Sequence, residues 1–369
     1  MKTKFFYAAA AVIALASCSK ENVVESPVLT NNGEESVEAI SFQMGSSFEL
    51  ATKGTGAVGD NTEETNLWNG QTLNVYMFDK GTLNLAENKT TEKNYFENAV
   101  VTAPTGVKSG EAIYGAAQYY PTTGNFDFFA YHADDAVAVA PALNAEKNAY
   151  TVAVTIDGTQ DLMVAKAGLN DLDRATFEGD GRGYDYERVY SAYSARRGVQ
   201  PRFTFKHLLS RFIFQAEAAE EGAAGAEGIK ITKIEIKAPV KGNMTVAALD
   251  EAALGVVFGT ETADLVLNDR GTSMTVKELK LGEKVVLGES MLLPAGGTEY
   301  VANIYYEQQK NTLEKDVYTT TIKLSDNSAF VAGTQYKVNI KVYDFKDIKL
   351  TTDLTPWVDG EDVTLDAEE

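Results

Sequence analysis

The chain has 369 residues, a formal net charge of −20 and a single cysteine. Its acidity opposes binding to phosphate backbones and anionic membrane surfaces, which excludes nucleic acid as a partner. One cysteine allows neither an intrachain disulfide nor a thiolate metal site, and the length is sufficient for about two domains.

The first 18 residues combine a basic start, a short apolar run and the cysteine. Lys2 and Lys4 precede the apolar residues 5–15, a run shorter than the roughly 20 residues of a membrane-spanning helix and typical of a signal peptide. Residues 15–17 (Leu-Ala-Ser) lead directly into Cys18, which resembles a bacterial lipoprotein box. We therefore predict a signal peptide over residues 1–17 and a lipid on Cys18. An ordinary signal peptide with a chance cysteine is the alternative.

Residues 18–36 are polar and acidic and predict a flexible tether. Loss of the signal also removes Lys2 and Lys4, which takes the formal charge to −22. An acidic chain needs the lipid for lasting membrane attachment, since each buried CH₂ contributes about 0.8 kcal/mol. We expect a chain that is anchored in the outer membrane by its lipid and otherwise soluble.

From residue 37 onward the dominant hydrophobic period is two, which is typical of strands with one buried face. Turn sequences rich in glycine, asparagine and aspartate separate the short apolar segments. Together they predict an all-β protein built of β-sandwiches. The predicted strands are residues 37–44, 71–78, 124–131, 151–156, 202–215, 233–237, 301–306, 319–324 and 337–342.

Two stretches lack this period. Residues 216–228 are rich in alanine and glutamate but contain Gly222 and Gly225, and predict a loop insertion. Residues 170–198 are dense in aspartate, glycine, arginine and tyrosine, and we place a domain boundary near their end. The predicted domains are residues 37–200 and 201–369.

The sequence offers little for catalysis. Its two histidines, His132 and His207, both lie at predicted strand ends, where a structural role is the simpler interpretation. Neither a nucleophile elbow, nor a zinc-binding helix, nor a phosphate loop is present. Asp134 and Asp135 are interpreted as a solvated turn. We predict no enzymatic activity and no cofactor.

Two weaker signals concern binding. The acidic residues 170–181 could offer oxygen atoms to calcium, but they lack EF-hand spacing because Ala175 occupies a ligand position. Four nearby tyrosines could form an aromatic platform for a glycan or a partner protein, with packing in a strand or interface as the alternative. They are Tyr184, Tyr186, Tyr190 and Tyr193.

Seven segments, in order, together resemble one known family. The most characteristic is residues 203–211, Phe-Thr-Phe-Lys-His-Leu-Leu-Ser-Arg. The others are residues 51–55, 68–76, 119–121, 126–131, 161–165 and 357–360. In this order, behind a lipoprotein box, they resemble the fimbrillin family of Bacteroidales, the subunits of type V pili.

The resemblance implies two transthyretin-like β-sandwich domains in tandem and assembly by strand exchange. In this family a lipoprotein precursor reaches the outer membrane, and a trypsin-like protease cuts after the first strand. A strand of the next fimbrillin subunit then fills the open groove, which is β-augmentation. Such a head-to-tail contact does not close and produces a filament. The implied role is a surface fimbrium that acts in adhesion.

On this chain the first strand would be residues 37–44, with the cut inside residues 45–59. An arginine-specific protease has no target there, because the first arginine is Arg174. Lys53 is the basic residue available, so we predict a cut between Lys53 and Gly54. The alternative is a solvated loop lysine and no cut, which would leave a lipid-bearing anchor or cap.

Residues 349–369 are the predicted donor strand, with an ordinary last strand of the chain's own domain as the alternative. Val363 and Leu365 alternate there with Thr364 and Asp366. The second interpretation of the whole chain is a monomeric outer-membrane lipoprotein that binds a glycan or a host protein.

Overall fold

A computed structural model of the chain describes residues 39–45, 68–85, 98–107, 110–114, 118–169, 189–219, 228–269, 272–309 and 313–356. In these residues regular structure is almost entirely β-strand, apart from the one-turn helix α1 (Ala192–Ala195) and the 3-10 turn Glu251–Ala253. The all-β prediction is confirmed. The division into two tandem domains stays a prediction.

Most strands before residue 208 are only two to four residues long, and a few are longer. They are β1 (Ala39–Ile40), β2 (Gln43–Gly45), β3 (Trp68–Asn69), β4 (Thr72–Asp79), β5 (Ala99–Thr102), β6 (Thr105–Val107), β7 (Gly110–Glu111), β8 (Ile113–Tyr114), β9 (Gln118–Tyr119), β10 (Phe126–His132), β11 (Ala142–Leu143), β12 (Ala149–Thr155), β13 (Met163–Lys166), β14 (Arg202–Thr204) and β15 (Lys206–His207).

Strands after residue 208 are longer, and several run for ten or eleven residues. They are β16 (Leu209–Ala218), β17 (Ile229–Pro239), β18 (Lys241–Ala248), β19 (Gly255–Phe258), β20 (Thr262–Val266), β21 (Asn268–Asp269), β22 (Thr272–Ser273), β23 (Lys277–Glu278), β24 (Val285–Pro294), β25 (Glu299–Gln309), β26 (Leu313–Lys323), β27 (Thr334–Asp344) and β28 (Asp347–Pro356).

The period-two prediction located many of the longer strands: β4, β10, β12, β17, β25, β26 and β27 each overlap a predicted strand, whereas β18 and β24 were not predicted. Two predictions were wrong in part. The predicted strand 202–215 is broken into β14, β15 and the start of β16. The predicted loop insertion 216–228 begins too early, because residues 216–218 continue β16 beside β24 and β27. Residues 220–227 of that insertion lie outside the described residues.

In the N-terminal half, a six-stranded sheet runs in the order β15-β13-β10-β4-β5-β8. On β4, Leu73, Val75 and Met77 face one core, which we call the inner core. The alternate residues Tyr76 and Phe78 face a second core on the opposite side of the sheet. Because both faces of β4 are covered here, its sequence is more continuously apolar than simple alternation predicts.

The C-terminal half is a β-sandwich. One sheet has the order β24-β16-β27-β28 and the other β20-β17-β25-β26, and the side chains between them form a single core. Phe212, Phe330 and Tyr336 pack at its centre, with ring centroids 4.9–5.3 Å apart. Along β27, buried residues such as Val338 and Ile340 alternate with polar residues that face away from the core, so one face of the strand packs inside the sandwich.

The two halves share a sheet of order β11-β12-β18-β19. β12 pairs antiparallel with β18 from Ala149↔Ala248 to Thr155↔Lys241. This sheet covers Tyr76 and Phe78, and residues from both halves form the second core. The described residues from 39 to 356 accordingly belong to one compact unit. The boundary at residues 200/201 stays a prediction; the sheet of the N-terminal half extends to β15, and the C-terminal sandwich begins with β16.

Candidate functional site

The first described segment is inserted between strands that are distant in sequence. β1 pairs antiparallel with β9, and β2 lies between β14 and β7, parallel to the first and antiparallel to the second. Each of these pairings spans only two or three residues. We call β7, β9, β14 and the side chains around them the first-strand seat. It is the place where the resemblance located strand exchange.

Two apolar side chains anchor this segment in the seat. Ile40 and Phe42 are buried in the inner core. The Phe42 ring packs against Phe128 at a centroid distance of 5.6 Å and against Phe203 at 5.7 Å. Burying an isoleucine or phenylalanine side chain contributes about 1.5–3 kcal/mol. Most of the attachment of the segment therefore comes from two residues two positions apart.

Gln200 holds the backbone of the same segment. Its Oε1 accepts a hydrogen bond from the Ser41 N–H (3.1 Å), and its Nε2 donates to the Ala39 carbonyl (3.3 Å). One side-chain amide thus satisfies a donor and an acceptor two residues apart, as a neighbouring strand would. Because both contacts are to backbone groups, Gln200 can hold a strand of any sequence in this position.

Further contacts on the other side of the segment also involve few residues. The Ala112 N–H donates to the Phe42 carbonyl (2.9 Å), and the Ser41 hydroxyl donates to the Glu111 carboxylate. Removing the segment would expose the unpaired edges of β7 and β14 and the rings of Phe128 and Phe203. An open edge beside an apolar slot is a template for another strand.

The sequence-predicted processing residues lie outside the described residues. These are the lipidation residue Cys18 and the candidate cleavage residues Lys53 and Gly54. Their assignments stay predictions. Sequence reasoning did locate the first strand, since residues 37–44 include β1 and most of β2. It missed Gln200, whose partners lie about 160 positions earlier in the chain and leave no local signal.

The predicted donor segment 349–369 is described only as far as Pro356. Up to that point it belongs to β28, which pairs antiparallel with β27 of the same chain from Asp344↔Asp347 to Thr334↔Pro356. Ile348 is buried in the C-terminal core and Leu350 packs against it. This part is therefore the last strand of its own sheet, the alternative that the sequence left open. Residues 357–369 lie outside the described residues.

Both histidines are buried beside aspartates. His207 Nδ1 lies 2.8 Å from Asp161 Oδ2, and His132 Nε2 lies 3.1 Å from Asp134 Oδ1. Asp134 Oδ2 accepts from the Asp161 N–H (2.8 Å), which connects the two pairs. These four side chains form a polar cluster in which Asp161 is buried. Asp134 and Asp135 lie in an exposed turn, which confirms the predicted solvated turn, and the Asp134 carboxylate contacts the cluster through both oxygens.

Electrostatics at this cluster follow from burial and from the aspartates. Burial opposes protonation of His132, but the hydrogen bond and charge of Asp134 and the carbonyl of Thr72 (2.8 Å from Nδ1) outweigh it, so the pKa of His132 is raised. Burial lowers the pKa of Arg211 to about 9, against the raising effect of the Asp161 and Glu289 charges. These contacts link strands of both halves.

The remaining binding signals find limited support. Tyr190 is buried, with its ring 5.7 Å from Phe128, so its place in an aromatic platform is wrong and the packing alternative applies. Tyr193 is exposed and carries the Arg197 guanidinium 3.5 Å above its ring. Tyr184, Tyr186 and the acidic residues 170–181 lie outside the described residues.

In the described part of the chain, no three or more histidine, cysteine, aspartate or glutamate side chains are grouped so that they could hold a metal ion. Nor does this part contain a helix of the length and apolar character that crossing a membrane requires.

Comparison with known proteins gives a family. A sequence model of the family described as Fimbrillin-like matches residues 55–357. No curated protein matches the chain.

Several solved structures are similar in fold. A candidate cell adhesion protein from Bacteroides uniformis is 17% identical, with 88% of this chain and 100% of that one covered and a TM-score of 0.48. A fimbrial protein from Bacteroides vulgatus is 12% identical, with 87% and 99% covered and a TM-score of 0.46. The fimbrial anchor protein Mfa2 from Porphyromonas gingivalis is 10% identical, with 86% and 98% covered and a TM-score of 0.34.

Proposed function

The chain belongs to the Fimbrillin-like family, a family of structural pilus proteins and not of enzymes, and we propose that it is exported as a lipoprotein and joins a surface fimbrium by strand exchange. In this proposal Cys18 carries the lipid that holds the precursor in the outer membrane. A cut after Lys53 then releases the first strand together with the lipid. The partners are other fimbrillin subunits, joined head to tail.

The observation that supports strand exchange best is the way Ala39–Gly45 is held. Its pairings with β7, β9 and β14 are short, and its apolar anchorage rests on Ile40 and Phe42. Losing these two side chains costs about 3–6 kcal/mol of burial, a large part of the stability of an ordinary domain. An opened seat therefore has a strong drive to take up another strand.

An incoming strand must meet the same chemistry. It needs two apolar side chains two positions apart, to replace Ile40 and Phe42 beside Phe128 and Phe203. It also needs a free N–H and C=O for Gln200. Val363 and Leu365 have this spacing in the C-terminal segment, and we propose that they insert into the seat of the next subunit. The part of that segment up to Pro356 is engaged in β28.

The first experiment is N-terminal sequencing and intact-mass measurement of the protein from its native outer membrane. We expect an N-terminus at Gly54 without lipid in assembled material, and acylated Cys18 in the precursor. An acylated Cys18 throughout assembled material would overturn the cut after Lys53. Unassembled, acylated material alone would favour a monomeric lipoprotein.

Variants separate processing from exchange. Lys53→Ala should abolish the detergent-resistant ladder on a gel and leave the acylated precursor. Lys284→Ala is the matched control, because Lys284 is an exposed lysine just before β24, far from the first strand in sequence. A ladder that persists in Lys53→Ala would contradict the proposed cut.

The donor is tested in the same assay. The double change Val363→Ser and Leu365→Ser should leave processing intact and remove the ladder, because polar side chains cannot replace Ile40 and Phe42. Thr364→Ala with Asp366→Ala is the control, since these alternate positions would face away from the core. A ladder in the first variant that matches the control would overturn the assignment of the donor.

A further inference from the structure

A cleft of about 760 Å³ opens on the face of the six-stranded sheet opposite the first-strand seat. This volume lies within the range of about 300–1,000 Å³ that ligand sites occupy. Its lining combines four side-chain amides and two carboxylates with alanine, valine and other residues, and we call it the amide cleft. The polar lining that the argument uses is Gln71, Asn74, Asn98, Asp134, Asp135 and Gln160.

Side chains, and not backbone groups, form the floor of the cleft. Asn74 stands opposite Tyr131 on β10 and Val100 on β5, in rows of paired strands. The backbone groups of these strands are engaged in the sheet, so the floor cannot accept an added strand. Val139, which also lines the cleft, is 62% exposed. The cleft therefore offers amide groups next to a small apolar surface.

Gln71 presents a buried donor to the cleft. The side chain is 1% exposed, and its Oε1 accepts from the Asn69 N–H at 2.8 Å. That bond fixes the orientation of the amide, because only the oxygen can accept. Nε2 is left without a hydrogen-bond partner among the described residues. Buried polar groups are normally paired, so an unpaired one at a cleft indicates a missing acceptor.

The other polar groups present both donors and acceptors. The Asn98 Nδ2 donates to Asn74 Oδ1 (3.1 Å), which leaves the Asn98 oxygen and the Asn74 Nδ2 to face a ligand. Gln160 Nε2 donates to Asp135 Oδ1 (2.9 Å). The cleft therefore presents both hydrogen-bond donors and hydrogen-bond acceptors to a ligand.

The charges of the cleft and of the whole chain limit the class of ligand that can bind. Asp134 and Asp135 line the cleft, and the whole chain carries −20, so an anionic ligand is repelled. Asp134 is already engaged by His132 and by the Asp161 N–H, and Asp135 by Gln160. With their charges partly satisfied, these carboxylates suit hydroxyl donors better than a bare cation.

We propose that the amide cleft binds a neutral saccharide. Sugar hydroxyls both donate and accept, which matches the mixed lining, and one hydroxyl oxygen would accept from Gln71 Nε2. The C–H face of a pyranose would contact Val139. The site lies across the sheet from the first-strand seat, so the inference goes beyond fimbrial assembly and does not depend on it.

The test is saturation-transfer difference NMR on the purified full chain. The probes are methyl α-mannoside, methyl β-galactoside, N-acetylglucosamine and lactose, with N-acetylneuraminic acid as an anionic comparison. We expect saturation transfer to at least one neutral probe, and none to the anionic sugar. Absence of transfer to every neutral probe, or equal transfer to the anionic sugar, would overturn the proposal.

Variants of the cleft residues test where the saccharide binds. Asn74→Ala should weaken binding at least about tenfold, the effect of roughly one charged or two neutral hydrogen bonds. Asn148→Ala is the matched control, because Asn148 Oδ1 likewise accepts from an asparagine, Asn144 Nδ2 (2.7 Å), away from the cleft. Asn98→Ala, at an exposed position, repeats the test should Asn74→Ala lower stability. Equal binding by Asn74→Ala, Asn98→Ala and the control would show that the saccharide binds elsewhere and would overturn the site.

Discussion

The two halves of the molecule hold their outermost described strands in different ways. At the N-terminal end, β1 and β2 pair over two or three residues with each partner. At the C-terminal end, β28 pairs with β27 along its whole length, from Asp347 to Pro356. Since each net hydrogen bond contributes about 0.5–1.5 kcal/mol, release of β28 costs far more backbone pairing. A strand that pairs over a few residues is therefore easier to exchange than a strand that pairs along its whole length.

The contacts that stabilise the two strands are also distributed differently along them. The first segment depends on Ile40, Phe42 and the amide of Gln200, whereas β28 shares its load among many pairs. A single substitution should therefore loosen the first segment, while the C-terminal sandwich should lose stability without releasing a strand. The following variants test this contrast.

The largest effect is expected for Phe42→Ala. Removing a buried phenylalanine leaves a cavity among Phe128 and Phe203 and should lower the free energy of unfolding by about 3–5 kcal/mol. The measurement is urea unfolding followed by the fluorescence of Trp68, which is buried against Phe205. A Trp357→Phe background removes the other tryptophan of the chain.

Phe330→Ala is the matched change in the C-terminal core, where Phe330 packs against Phe212 and Tyr336. It should cost a similar free energy of unfolding. Only Phe42→Ala should also speed the uptake of a fluorescent peptide with the sequence of residues 37–45. Equal uptake by both variants would break the contrast between the halves.

Gly288→Ala should destabilise the C-terminal sandwich by about 1–3 kcal/mol. Gly288 has φ +55°, and an added Cβ would lie 2.7 Å from the Asn268 carbonyl oxygen. It lies where the β16–β24 register shifts between Phe212 and Phe214, an irregularity that bends a long strand. Thermal unfolding measures the loss.

Gly296→Ala separates clash from backbone strain. Gly296 also has positive φ (+87°), but no atom of the described residues lies within 4 Å of the added Cβ. It should cost less than Gly288→Ala, because only the backbone conformation is penalised. Equal losses of stability in the two variants would show that the close approach to the Asn268 carbonyl does not contribute.

Gln200→Ala should cost about 1 kcal/mol and accelerate peptide uptake at the first-strand seat. The variant loses the bonds to Ser41 N–H and the Ala39 carbonyl, yet leaves the apolar anchorage intact. Gln335→Ala, a half-buried glutamine on β27, is the control. Unchanged uptake in Gln200→Ala would mean that the amide does not hold the strand.

The smallest effect concerns pH. Because the pKa of His132 is raised above its ordinary value of 6.5, the folded state holds the proton more tightly than the unfolded chain. This stabilisation is fully present below about pH 6.5 and is lost as the pH rises through the raised pKa. His132→Gln should flatten the stability–pH curve above about pH 6.5. An unchanged slope in urea titrations across this range would assign the dependence to other groups.

Sequence reasoning succeeded where the information is local. The alternation along β12, β17 and β27 predicted strands because a period of two is a property of neighbouring residues. It failed at residues 202–215, where one apolar run is divided among β14, β15 and β16 in different sheets.

By itself the sequence determined the all-β class, most of the long strands, the first strand and the likeness to fimbrillins. The tertiary structure decided the functional geometry. It placed β2 beside β14 and brought Gln200 to the backbone of Ser41, about 160 residues away. It also buried Gln71 at a cleft, where its Nε2 has no hydrogen-bond partner among the described residues. The reason is physical: a strand period arises from successive side chains, whereas pairing and burial arise from residues that only folding brings together.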